Sequence, residues 1–199
     1  MNLKKSYKEK YGYERIITDR NSVLTFAEAD MLKLRGGGEY TIDEKGKEFA
    51  LVVLYGTINV KGEDFCFENV GIRKSVFDGV GETVYVGKDT EFTVRAVGGD
   101  AKICIAKAPA DRYYKPQVLK TADIKTKTLG KDSFLRTAAF NLAENAEANL
   151  LYIGEFWVEN GKWASFPPHK HDVDDMPAEG FLDEIYYYEF DRPQAYRPR

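Results

Sequence analysis

Between about residues 30 and 108 the hydrophobic period is two, not 3.6. EFALVVLYGTINV, ETVYVG, EFTVRAV and AKICIA are short β-branched or aromatic runs. Between them lie turn signals: GGG at 36–38, DEKGKE, VKGED, FDGVGE, GKD and GGD. A strand places successive side chains on opposite faces, so this pattern suits sheets with one buried face. Strands 8–12 residues apart with Gly/Asp turns predict an all-β sandwich or barrel. Helical patterning is scarce. AFNLAENAEANLL has helical composition, but it lies between strand-like segments and reads equally as a polar loop.

The first β region, residues 1–108, contains no histidine and is expected to be structural or to serve in docking. Residues 109–132 are polar, carry two prolines and read as a linker. A second β region, 133–199, starts near Phe134 with FLRTAAFNL and NLLYIGEFWVENGKWASF, and continues to EIYYYEF. The chain has 199 residues, 43% hydrophobic and 31% charged, enough for one large or two small soluble domains. A net charge of −3 argues against a nucleic-acid partner. The polar N-terminal stretch lacks the apolar core of a secretory signal, and no apolar run reaches membrane-span length. The cytoplasm is the expected location. Cys66 and Cys104 sit inside strand-like runs and are expected to be reduced, buried thiols.

Both histidines of the chain fall in FPPHKHD, at His169 and His171. On a strand, residues i and i+2 share a face, so the two imidazoles would project together and Lys170 away. Pro167 and Pro168 stiffen the approach. Glu184 lies in the following run, FLDEIYYYEF, on one face with Tyr186 and Tyr188. If that run pairs with the histidine strand through DVDDMPAEGFLD, a carboxylate faces two imidazoles. Two histidines and one carboxylate with open positions form an established type of catalytic metal site. The bland reading is two solvated loop histidines beside packing tyrosines. Lys170 and Asp172 read as surface or supporting groups, and Arg73 and Arg136 as partners for acidic side chains.

SFPPHKHD followed by FLDEIYYYEF resembles the 5-deoxy-glucuronate isomerase family of inositol catabolism, within the uronate-isomerase bicupins. GEFWVENGKWASFPPHKHD extends the likeness upstream, and ENVGIRKSVFDGVGETVYV matches a first-half segment of the family. The resemblance spans about residues 20 to 195. It implies two cupin barrels (double-stranded β-helix, or jelly-roll) in tandem, with the metal in the second. His169, His171 and Glu184 take three of four ligand positions, and the metal is Zn, Mn or Fe. The family's fourth ligand is a histidine on a later strand; this sequence has no third histidine. About 70 residues follow the linker, where a cupin takes on the order of 100, so the second barrel reads as incomplete.

The implied activity is an aldose–ketose isomerisation, an intramolecular oxidoreduction of 5-deoxy-glucuronate to 5-dehydro-2-deoxy-gluconate. Glu184, Tyr186 and Tyr188 are the catalytic candidates, with Asp183 a further candidate base. The partner is a small sugar acid, and uncovered sheet edges point to a homo-oligomer. Two alternatives stand beside this. One is a catalytically inactive cupin serving as a binding or structural module. The other is a cupin oxygenase, because two histidines and a carboxylate also serve iron.

Overall fold

The computed structural model describes residues 4–165 and 167–191. Phe166, and residues 192–199 of the second β region, lie outside the described residues. Eleven strands are present among them, with two short 3-10 turns and no α-helix. None of the helical turns is long and apolar enough to cross a membrane.

Two long strands organise the first half: β4 (Lys47–Gly62) and β7 (Phe92–Pro109), antiparallel along their length. On one end they bind β2 (Glu28–Leu34), with β1 (Gly12–Ile17) beyond it, and β6 (Thr83–Val86). On the other end they bind β3 (Glu39–Ile42) and β5 (Cys66–Val70). Each long strand therefore serves two layers, and its inward face must change parity midway. In β4, Phe49, Leu51 and Val53 face the core, then Ile58 and Val60. In β7, Phe92, Val94 and Ala96 do so, then Ala101, Ile103 and Ile105. Irregular register between Val53 and Thr57 performs the switch in β4, as a bulge does. Gly56 sits there at φ +85°, and a Cβ would lie 2.3 Å from the Asp100 carbonyl oxygen, so only glycine fits.

Residues 109–132 are not structureless. β8 (Gln117–Leu119) pairs with β6 and extends the first sheet. β9 (Lys125–Leu129) pairs with β10 (Arg136–Leu142), which pairs with β11 (Ile153–Trp157). Buried Leu119 and Ile124 tether this polar stretch. AFNLAENAEANLL ends β10 and continues as an irregular loop, not a helix.

The three-stranded sheet packs on the outer face of the first barrel. Ala139 and Leu142 join Ala50, Tyr85 and Leu119 in one buried cluster, with Ile153 and Trp157 at its edge. Both cysteines are free, but Cys66 is exposed, contrary to the expected buried pair, because β5 is bonded on one side only. Burial pushes the partly buried Cys104 thiol up to about 12.

Candidate active site

Residues 167–191 form no strand, and an isolated bridge between Asp175 and Glu179 is their only sheet-like pairing. The expected ladder between the histidine run and EIYYYEF is thus replaced by a single backbone bond, from Leu182 N–H to His171 O at 3.2 Å. The reason lies in side-chain competition for the backbone. Glu179 accepts from the N–H groups of Asp172 and Val173, at 2.5 and 2.9 Å, and from Lys170 Nζ. The Lys170 ammonium beside it holds the Glu179 carboxyl below the usual range. This carboxylate ties down the loop after the histidines; its position inside DVDDMPAEGFLD carried no periodic signal to mark it.

The histidine rings nevertheless lie together, with centroids 5.1 Å apart and planes nearly perpendicular. His169 Nδ1 lies 2.9 Å from Pro167 O, and His171 Nδ1 2.9 Å from Gly180 O. A carbonyl only accepts, so each Nδ1 carries a proton, and the neutral form of each ring would present its lone pair at Nε2. Metal-binding histidines are commonly oriented in this way. The chemistry of the pair thus fits a divalent cation.

Glu184 accepts from Tyr186 Oη at 3.0 Å, and Tyr186 stacks with Tyr188 at 6.1 Å. Burial, then the bond to Glu184, pushes the Tyr186 phenol up to about 12. Glu184, Tyr186 and Tyr188 are all exposed on one side of the extended segment. The structure thus brings His169 to His171, and Glu184 to Tyr186 and Tyr188, but it does not join the two groups. Among the described residues, no three His, Cys, Asp or Glu side chains are gathered to hold a metal.

Asp183, a candidate base, is engaged elsewhere. Its Oδ2 accepts from the backbone N–H groups of Thr25, Phe26 and Ala27, at 2.7, 2.5 and 3.2 Å. The residue after Tyr186 takes part in a second tyrosine–glutamate group: Lys102 Nζ of the first barrel bonds Tyr187 Oη at 2.9 Å and Glu189 Oε1 at 3.0 Å. Burial lowers the Lys102 ammonium, but these two bonds outweigh it and hold its pKa well above the ordinary value. Arg73, on the loop after β5, pairs with Glu155 of β11 at 2.7 Å. Glu155 also accepts from Gly81 N–H and from Asn141 Nδ2.

A jelly-roll barrel with a second β-sheet docked on its outer face defines a protein of the cupin class. An IolB-like protein from Salmonella typhimurium LT2 superposes with a TM-score of 0.82, at 24% identity, covering 87% of this chain and 66% of that one. The KduI/IolB family model matches residues 2–198, and the chain belongs to that family. It is 36% identical over 182 residues to the 5-deoxy-glucuronate isomerase of Bacillus subtilis strain 168, covering 90% of this chain and 67% of that protein. The 5-deoxy-glucuronate isomerase of Listeria monocytogenes serovar 1/2a is 31% identical over 182 residues, with the same coverage. The chain spans about two thirds of the length of the curated relatives it matches.

Proposed function

We propose that this chain is a 5-deoxy-glucuronate isomerase, a cytoplasmic enzyme of inositol catabolism that converts its substrate to 5-dehydro-2-deoxy-gluconate. The observation that carries this reading is 36% identity, over 90% of the chain, to an enzyme of that name. The alternative of an inactive binding module has no comparable support.

The conversion changes an aldehyde at C1 and a hydroxyl at C2 into a hydroxyl and a ketone. One proton leaves C2, one arrives at C1, and no external oxidant is consumed. His169 and His171 would hold a divalent metal (Zn, Mn or Fe) through Nε2; Glu184, which lies apart from them in this structure, would have to be brought to the pair to serve as the third protein ligand. Such a cation supplies Lewis-acid stabilisation of negative charge on the substrate's oxygens. Tyr186, its phenol pushed up by burial and by Glu184, would act as a hydrogen-bond donor. In the free chain it donates to Glu184. Tyr188 flanks it and shapes the same exposed face. Asp183 is engaged elsewhere, one carboxylate oxygen accepting hydrogen bonds from three backbone amides.

Elemental analysis of the purified, tag-free chain, run beside a 5-deoxy-glucuronate turnover assay, tests the proposal. About one equivalent of Zn, Mn or Fe is expected, as for a catalytic site of three protein ligands. His169→Ala should lose the metal and about a hundredfold or more in kcat/KM. Turnover that survives complete metal removal would overturn the metal assignment, and oxygen consumption in place of isomerisation would overturn the isomerase reading.

A further inference from the structure

Along the segment 183–189 the side-chain contacts differ from residue to residue without a strand ladder, and Tyr187 and Glu189 remain exposed although they bond to the first barrel. Glu184, Tyr186 and Tyr188 are exposed on one side, while Asp183, Tyr187 and Glu189 reach the first barrel. Something other than sheet hydrogen bonding must hold that arrangement. Two anchors do so, one on each side of the exposed trio.

The first anchor is Asp183. Three consecutive backbone N–H groups, on the loop between β1 and β2, converge on its single Oδ2. Such a run of amides forms a concave anion seat, and a carboxylate within it makes strong, charge-assisted bonds. Aspartate has one methylene between carboxylate and backbone, so seating the carboxylate also fixes the backbone at 183. An edge contact between Phe26 and Phe181, centroids 6.1 Å apart, braces the same junction. The second anchor is Lys102, 5% exposed, whose ammonium reaches Tyr187 and Glu189 and also Glu9 Oε2 at 3.1 Å.

We infer that Asp183 is a positioning residue for the Glu184–Tyr186 pair, so that the first barrel, which has no histidine, sets the geometry of the site through the amides of residues 25–27. The inference rests on the isomerase reading. It assigns the first half a part in function beyond scaffolding: the direction in which Glu184 leaves the backbone is decided by a loop more than 150 residues away in sequence.

A double-mutant cycle of Asp183→Ala and Glu184→Gln tests it, with Asp183→Asn alongside. Each variant is assayed for Mn²⁺ affinity, kcat and KM, melting temperature, and hydrogen exchange at residues 25–27. If Asp183 acts through Glu184, Asp183→Ala lowers kcat about tenfold or more, as removal of an orienting partner does elsewhere. KM should change much less. In the Glu184→Gln background, the same substitution should add little, because the two effects are coupled. Asp183→Asn keeps one acceptor oxygen for the amides and should recover part of the loss, which guards against a variant that merely fails to fold. Mn²⁺ affinity should follow the same non-additive pattern. Additive losses in kcat and affinity, or wild-type values in a variant whose amides exchange faster, would show that the anchor is structural only and overturn the inference. A wild-type chain that neither binds Mn²⁺ nor isomerises 5-deoxy-glucuronate would sink the isomerase reading, and this inference with it.

Discussion

Glu48 shows how much a single carboxylate can organise. It is fully buried on the outer face of β4, where its neighbours Ala50 and Val52 are apolar. Its oxygens accept from the backbone N–H groups of Asn149, Leu150 and Leu151, at 2.7, 2.6 and 2.8 Å, and from Tyr85 Oη at 2.8 Å. Burial and this bond hold the Tyr85 phenol well above its ordinary pKa, so it remains a donor. A buried charge is tolerated when several donors replace its water. Removing it leaves three amides and a phenol without their acceptor. Glu48→Ala is expected to cost about 2–5 kcal/mol in chemical denaturation, with Glu48→Gln intermediate. A loss below about 0.5 kcal/mol for Glu48→Ala, within the range of ordinary surface changes, would contradict this account.

At the scale of elements, the barrel end where β2, β4 and β7 meet is closed by charge. Lys107, fully buried, lies 2.7 Å from Asp30, and 3.2 Å from both Glu28 and Glu44. Lys47 reaches Glu28 at 2.5 Å and Glu44 at 2.7 Å, and Tyr13 donates to Asp30. These residues continue the inward rows of Leu32, Ile105 and Phe49, so parity puts them inside the barrel. Lys107→Met would strand a buried carboxylate, and a loss of about 3–5 kcal/mol is expected. Burial raises the Glu44 carboxyl, but the bonds to Lys47 and the charge of Lys107 outweigh it and hold the folded value below the ordinary one. Its contribution to stability is therefore fully present above the ordinary carboxylate pKa, and is lost as pH falls through the lowered folded value. Denaturant titrations across that acid range should show a shallower loss of stability in Glu44→Gln than in wild type; equal slopes would argue that Glu44 is not coupled to the two lysines.

The whole molecule is held by carboxylates that cross between its halves in both directions. Glu48 of the first barrel takes amides of the 149–151 loop, Asp183 takes amides of residues 25–27, and Glu155 pairs with Arg73. Beneath them lies the shared cluster of Ala50, Tyr85, Leu119, Ala139 and Leu142. Halves joined in this way should unfold as one unit. Trp157 of β11 donates through Nε1 to Val76 O at 2.9 Å, so its fluorescence reports the junction. The fluorescence transition and the far-UV circular dichroism transition should coincide in denaturant. A separate, earlier fluorescence step would mean that the second sheet undocks independently.

The β-sheet class and the long strands of the first barrel were legible in the sequence, because period-two patterning is a local property; β1, β2 and β3 were not among the runs it marked. His169, His171, Glu184, Tyr186 and Tyr188 stood out as candidates for the same local reason, a short motif. EFALVVL also carried a sign of the docked second sheet: a run without polar alternation belongs to a strand covered on both faces. The strands within 109–132 were hidden, because their pairing depends on partners elsewhere, not on their own polar composition. The placement of the site was hidden for the same reason. A motif states which side chains are available, but backbone ladders, carboxylates seated on distant amides and a buried lysine decide where those side chains go. Asp183, next to Glu184 in sequence, is bonded to residue 26 in space, and only long-range packing could make that choice.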